Sequence, residues 1–258
     1  MQDWTELRVV ADDVAMKDPV VLIQGLPGLG FVGKICADYM IEELHAKKLA
    51  ELHSSYLTMP DGNVGVHVSA DGTYHLPKYE FYAHTENSPA LLLLTGNTQP
   101  ITFGQVQVAA EVLNFAVSVG CRRVVALGGF QSVAERGPET VYGVFSSQQL
   151  AEEVCPLGVN ITKNGAITGA CGVLLGLALQ RNLESIGLLG VTSGEYPDME
   201  AAKDVLRVLS KFLKVDINLD SLDSRIEEMR AKMEQLRKTQ SEIQARRTRE
   251  FEKPPFYV

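Results

Sequence analysis

The stretch Val20–Gly33 reads VVLIQGLPGLGFVG and decides the class of fold. Its first five residues, Val20 to Gln24, form a short and almost wholly apolar run, which is typical of a strand buried on both faces. The glycines that follow predict a tight turn, and apolar residues from Val32 to Leu44 then recur at helical spacing. The stretch therefore predicts a strand, a tight loop and a helix, the opening unit of an α/β fold.

The same alternation continues downstream. Short apolar runs predict buried strands at 90–95, 123–127 and 185–192, with helices over 106–117, 168–180 and 198–213, the last of them capped by Asp198. Between the first helix and residue 90, two Asp-Gly pairs at 61–62 and 71–72 predict hairpin turns in a small antiparallel meander. We expect residues 1–218 to form a three-layer α/β/α sandwich with a mainly parallel central sheet.

Residues 219–250 differ in kind, because apolar residues recur there at alternating spacings of three and four. This heptad seam comprises Leu222, Ile226, Met229, Met233, Leu236 and Ile243. Acid-before-base pairs four residues apart, such as Glu228 and Lys232, support an exposed helix. The pattern predicts a long helix that either associates with copies of itself in a homo-oligomer or lies along its own domain.

The glycine cluster also carries a weak chemical signal. Gly28, Gly30 and Gly33 match G-x-G-x-x-G between a strand and a helix, the context in which backbone amides hold an anion. The cluster also matches most of a P-loop, but Ile35 stands where a hydroxyl must bind Mg²⁺. The second interpretation is structural, with the glycines allowing a tight turn and close helix–sheet contact.

Composition narrows the classes of function. The net charge of −8 argues against a surface that binds nucleic acid. The sequence has no run of 18 apolar residues and no basic, apolar leader, so we expect a cytoplasmic protein outside the membrane. The four cysteines form no CxxC pair and the histidines no metal-binding spacing, so we expect no metal and no cofactor.

Three motifs together resemble the proteasome assembly chaperone family. They are the glycine cluster 25–33, the segment GAITGACG at 165–172, and Tyr196-Pro197-Asp198 followed by Ala201 and Ala202. The resemblance covers about residues 18–216. It implies an α/β/α architecture similar to that of nucleoside phosphorylases, no established catalytic site, no use of ATP, and proteasome core-particle α-subunits as partners.

The last eight residues, 251–258, read FEKPPFYV. Phe256, Tyr257 and Val258 match the hydrophobic–tyrosine–any-residue ending with which proteasome activators and some assembly chaperones dock between α-subunits. A carboxylate on Val258 can pair with a lysine, and Tyr257 offers a ring and a hydroxyl. The prolines at 254 and 255 keep the ending extended, which lowers the entropy lost on docking. We expect 251–258 to be a flexible docking tail.

The sequence thus predicts a non-enzymatic proteasome assembly chaperone or a core-particle adaptor that helps to open the gate. The alternative is a phosphorylase- or hydrolase-like enzyme that acts on a nucleoside or another small metabolite. A third interpretation is a scaffold whose ending, Phe256 to Val258, adds a strand to a PDZ-type groove.

Overall fold

The computed structural model describes residues 3–11, 14–131, 137, 140–224 and 226–227. The strands in this part of the chain are Thr5–Val9 (β1), Val20–Gly25 (β2), Lys47–Ser54 (β3), His67–Val68 (β4), Tyr74–His75 (β5), Lys78–His84 (β6), Ala90–Gly96 (β7), Cys121–Gln131 (β8), Val141–Phe145 (β9), Asn160–Ile161 (β10) and Glu184–Thr192 (β11). The helices of the α/β unit are Val32–Glu43 (α1), Gln105–Ser118 (α2), Gln148–Val154 (α3), Gly169–Gln180 (α4) and Met199–Leu213 (α5).

Nine of these strands form one sheet, in the order β1-β3-β6-β7-β2-β8-β11-β9-β10. The centre, β7-β2-β8-β11, is parallel, whereas β1, β3, β6 and β7 pair antiparallel in turn, and β9 runs antiparallel to β11. The predicted α/β class is confirmed, but the sheet is mixed rather than mainly parallel. Parallel neighbours need a long crossover, and no helix in the described chain separates β3 from β6 or β6 from β7.

Helices cover both faces of the sheet, which confirms the three layers. α1 packs beside α5, and α2 packs beside α4. On the face of α2 and α4, the apolar core takes Val20 and Leu22 from β2 together with Phe81 from β6. The ring of Phe81 meets that of Phe115 edge to face, with centroids 4.9 Å apart, a favourable aromatic geometry. Strand β2 is buried along its whole length, as its apolar run predicts.

The two predicted Asp-Gly turns lie between β3 and β6. The Asp61 carboxylate accepts a hydrogen bond from the Asn63 amide at 3.1 Å, and the Asp71 carboxylate accepts one from the Thr73 amide at 3.0 Å. The strands of this segment pair antiparallel, as predicted. Of these described strands, β4 and β5 form a hairpin that is separate from the main sheet. Strands β3 and β6 instead join the main sheet, which extends it beyond its parallel centre.

A second compact unit begins at Asn218. Residues 220–224 and 226–227 are helical, and the Asn218 side chain caps their start by accepting a hydrogen bond from the Asp220 amide at 3.0 Å. Leu222 and Ile226 lie in this helical segment. The other predicted seam residues, Met229, Met233, Leu236 and Ile243, and the predicted tail, 251–258, lie outside the described residues. Within the described ranges no helix is long and apolar enough to cross a membrane.

Candidate functional site

The glycine cluster after β2 is held by close backbone contacts. Gly30 has a φ of +59°, and a Cβ there would lie 2.6 Å from Oγ1 of Thr192. A Cβ at Gly33 would lie 2.3 Å from the carbonyl oxygen of Leu127. Only glycine fits either position, because Cβ contacts below 3.0 Å are essentially never seen. Close packing of the loop and α1 on the sheet therefore accounts for Gly30 and Gly33, as the structural interpretation of the motif expects.

The same loop is joined to the start of α5. The backbone amide of Asp198 donates a hydrogen bond to the carbonyl oxygen of Gly30 at 2.8 Å. The carboxylate of Asp198 accepts one from the Ala201 amide at 2.9 Å, so it caps α5 as predicted. Glu195 and Tyr196, at the end of the neighbouring strand, are exposed. Asp198 therefore has a structural role, as the N-cap of α5.

Gln99, in the loop after β7, connects the two glycine-rich motifs. Its amide nitrogen donates a hydrogen bond to the carbonyl oxygen of Pro27. Its amide oxygen accepts one from the backbone amide of Ala170, in the first turn of α4, at 3.1 Å. No motif in the sequence points to Gln99, and its one signal is its position three residues after a buried strand. Its role depends on contacts between segments about 70 residues apart in the chain.

A cavity of about 570 Å³ opens beside this bridge, at the carboxyl ends of β2, β8 and β11. This edge of a parallel sheet is where α/β proteins bind their ligands. Gly28 lines the cavity, whereas Gly30 and Gly33 do not. The described lining residues are Gln24, Leu26, Gly28, Leu29, Gln99, Leu127, Gly128, Gly129, Phe130, Gln131, Ala166, Ile167, Thr168, Gly169, Cys171 and Leu189. None of these carries a carboxylate, an amine, a guanidinium or an imidazole.

The thiols near this edge are held protonated. Burial raises the pKa of the Cys171 thiol, which lines the cavity, to about 12. Burial also raises the pKa of Cys36 far above its usual range, and the Cys36 thiol donates a hydrogen bond to the Ala202 carbonyl oxygen at 3.4 Å. Because the thiolate is the nucleophilic form, neither cysteine is poised for covalent catalysis. Among the described residues no group of three or more His, Cys, Asp or Glu could hold a metal ion.

The fold, and a crevice whose described lining residues carry no charge, define an α/β/α protein without a recognisable catalytic constellation in its described residues. The chain belongs to the PAC2 family, whose model matches residues 22–237. The family resemblance drawn from the three motifs is therefore confirmed.

Solved structures and a curated relative agree with this assignment. PbaB from Pyrococcus furiosus, described as an archaeal proteasome activator, is 32% identical, with a TM-score of 0.81 over 92% of this chain and 100% of that one. PbaA from the same organism, described as an archaeal homolog of proteasome-assembly chaperone, has the same fold at 24% identity, with a TM-score of 0.77 over 96% and 98% of the two chains. An uncharacterized protein from Methanocaldococcus jannaschii is 34% identical over 234 residues, which are 90% of this chain and 88% of the relative.

Proposed function

We propose that this chain is an ATP-independent proteasome assembly chaperone or core-particle-binding activator that works in the cytoplasm without catalysis. The observation that carries the proposal is the similarity to PbaB, which extends over the whole of that proteasome activator at 32% identity. Membership of the PAC2 family supports the same role. The partners of the proposal are the α-subunits of the proteasome core particle.

The lack of charged side chains among the described residues of the crevice supports a role without catalysis. General acid–base chemistry needs a titratable group within hydrogen-bond reach of the reacting atom. The described residues that line the cavity offer carboxamides, a hydroxyl and a protonated thiol. A phosphorylase- or hydrolase-like enzyme, the alternative drawn from the sequence, would need an acid or a base that this lining lacks.

The contact with the proteasome is assigned to Phe256, Tyr257 and Val258, which lie outside the described residues. The proposal requires a free carboxylate on Val258, because an ionised terminus can form a charge-assisted pair with a pocket lysine. Each aromatic ring adds about 1.5–3 kcal/mol if it is fully desolvated. The prolines at 254 and 255 limit the conformations that docking must exclude.

A single three-residue ending binds weakly, so the proposal includes several copies in one assembly. The heptad seam of Leu222, Ile226, Met229, Met233, Leu236 and Ile243 would hold the copies together as a homo-oligomer. Linked tails gain about 10²–10⁴ in avidity where the geometry lets them bind together. The length of chain between the heptad seam and the tail then matters as much as the affinity of one tail.

The test is a pull-down of purified proteasome α-subunits with the full chain, with Tyr257→Ala and with a chain that lacks Phe256–Val258. We expect both variants to lose binding. Tyr196→Ala is the matched control, because it removes an exposed tyrosine from the α/β unit and should leave binding unchanged. Equal capture by all four proteins would refute tail docking.

The same assay separates an α-ring pocket from a PDZ-type groove. An α-ring pocket should depend on Tyr257, whereas a PDZ groove reads the terminal residue and the one two positions before it, Val258 and Phe256. Gate opening is tested by the hydrolysis of a fluorogenic peptide by the mature core particle. If the full chain speeds hydrolysis by the mature core particle, it is an activator. If it speeds the formation of α-rings but does not speed hydrolysis, it is an assembly chaperone.

A further inference from the structure

Gln24 is only 3% exposed, and its side chain makes no hydrogen bond to another described residue, but its polar atoms are not sealed from the cavity that Gln24 lines. Alternate residues of β2 face α2 and α4, and Gln24 is on that face. The residues before and after it in the alternation, Leu22 and Leu26, are apolar and belong to the core. A carboxamide in such a place costs free energy unless its donor and acceptor are satisfied. Its side chain lines the cavity beside Gly128. Its amide can therefore be satisfied only from the cavity, either by water or by an occupant that displaces it.

The space in front of Gln24 is open because the adjacent residue on β8 is a glycine, which has no side chain. Gly128 lies on β8 directly beside the cavity, and a Cβ there would meet only the Leu189 side chain, at 3.2 Å. The walls are apolar and include Leu189 and the ring of Phe130, which packs on Tyr142 with centroids 4.9 Å apart. At about 570 Å³ the cavity falls within the range of about 300–1,000 Å³ in which proteins bind small molecules.

The opposite side of the cavity is the first turn of α4, which supplies hydrogen-bond donors. Thr168 is the N-cap residue, yet its hydroxyl makes no capping bond. Gln99 satisfies the amide of Ala170. The first amides of a helix lack partners within it and carry a partial positive charge, which favours a carbonyl oxygen on a ligand. Because no described lining residue is charged, an ionised ligand would lose its hydration without gaining a counter-charge.

We propose that this cavity binds an uncharged planar lactam, a ring in which N–H stands beside C=O, as in oxo-substituted nucleobases and their nucleosides. The Gln24 carboxamide pairs with the N–H and C=O edge, and the first turn of α4 donates to a further acceptor, which is the second carbonyl oxygen in uridine and a ring nitrogen in inosine. The apolar walls of Leu189 and Phe130 cover the faces of the ring. This site is independent of the proposed contact with the proteasome.

The experiment is calorimetric titration of the full chain with inosine and with uridine at millimolar concentration. We expect saturable binding, and we expect Gln24→Leu to weaken it at least about tenfold, since it removes both hydrogen-bonding atoms. Gln180→Leu, at the exposed end of α4, is the matched control and should bind as the natural chain does. Because Gln24 makes no hydrogen bond to another described residue, the unfolding temperature of Gln24→Leu should not fall.

Two further ligands keep the test decisive if Gln24→Leu fails to fold. 1-Methylinosine has the ring N–H replaced and should not bind, and inosine monophosphate should bind more weakly than inosine because its charge has no partner. The proposal is overturned if neither inosine nor uridine binds, or if 1-methylinosine or the monophosphate binds as well as inosine. It is also overturned if Gln24→Leu binds normally, or if nicotinamide binds through Gln24 and the lactams do not.

Discussion

The carbonyl oxygen of Gly30 accepts a hydrogen bond from the backbone amide of Asp198 at 2.8 Å, across 168 positions of the chain. This bond ties the loop after β2 to the start of α5. It needs Gly30 in its left-handed conformation, close against Thr192. The loop and the helix start therefore depend on one residue without a side chain.

Replacement of Gly30 by alanine is expected to lower the free energy of unfolding by about 1–3 kcal/mol, because Cβ is strained at positive φ and collides with Thr192. Urea denaturation measures the change. Gly176→Ala is the control: Gly176 lies inside α4 with open space around it, and alanine there should raise the stability by up to about 1 kcal/mol. Equal effects of the two substitutions would contradict the contact described at Gly30.

Loss of the Gln99 bridge should destabilise the edge that carries the cavity. Gln99→Leu leaves the Pro27 carbonyl and the Ala170 amide without their partner, at a cost of about 1–3 kcal/mol. Hydrogen exchange should show faster exchange at Ala170 and its neighbours in α4, whereas α5 should be unaffected. Gln180→Leu, which changes an exposed glutamine of α4, should leave both measurements unchanged.

Tyr79 carries a buried hydroxyl without a partner among the described residues. Its ring is 1% exposed, and burial raises its pKa well above the usual value. Tyr79→Phe keeps the ring and deletes the unpaired group, so we expect stability to stay the same or to rise by about 1 kcal/mol. Tyr82→Phe is the comparison, since the Tyr82 hydroxyl donates to Glu80 at 3.4 Å. Thermal unfolding should rank Tyr79→Phe above Tyr82→Phe.

Glu51 is predicted to make the free energy of unfolding decrease as the pH falls. Partial burial alone would raise its pKa, but hydrogen bonds from Lys48 and Lys78 outweigh burial and lower the pKa from 4.5 to about 2. The Lys78 amine lies 2.6 Å from the carboxylate. Because the pKa is lower in the folded chain, the stabilisation is complete above pH 4.5 and is lost as the pH falls towards about 2.

Glu51→Gln should therefore cost about 1 kcal/mol at neutral pH and flatten the pH dependence of unfolding within that window. Glu6→Gln is the control, because the Glu6–Arg8 pair is exposed on both sides. Its stability should follow the natural chain at every pH. A Glu51→Gln protein with an unaltered acid transition would show that the two lysines do not stabilise the ionised form.

A tag that follows Val258 is expected to abolish capture of proteasome α-subunits, because it removes the carboxylate on which the proposed docking depends. The same tag placed before Met1 should leave capture intact. Both proteins should unfold at the same temperature, which separates a docking defect from a folding defect. Full capture by the protein with the tag after Val258 would contradict the proposed role of the ending.

Local pattern predicts the elements better than it predicts their arrangement. The apolar run from Val20, the periodicity around Leu206 and the turn at Asp71 each depend on residues close in the chain, and each is found in the structure. The antiparallel pairing of β3 and β6 agrees with the predicted meander, but their place in the main sheet depends on pairing with β1 and β7. Periodicity does not encode that pairing, so the sequence alone predicts a more parallel sheet than the structure has.

The cavity shows the same limit. Gln24 lies near the end of an apolar strand and Gln99 in the loop that follows another, and neither belongs to a motif with fixed spacing. The bridging role of Gln99 can be recognised only in the folded chain, where its side chain contacts Pro27 and Ala170. In contrast, Gly30 and Gly33 stand out in the sequence, but the structure explains them by packing.

The order of the strands also bears on solubility. Unpaired backbone groups at the margin of a sheet are a template for uncontrolled addition of further chains. One margin here is β1, whose Glu6 and Arg8 carry opposite charges. The other is β10, which offers only Asn160 and Ile161. Both edge strands of the sheet, one charged and one only two residues long, are therefore poor templates for edge-to-edge aggregation. This property suits a protein that is proposed to bind unassembled subunits.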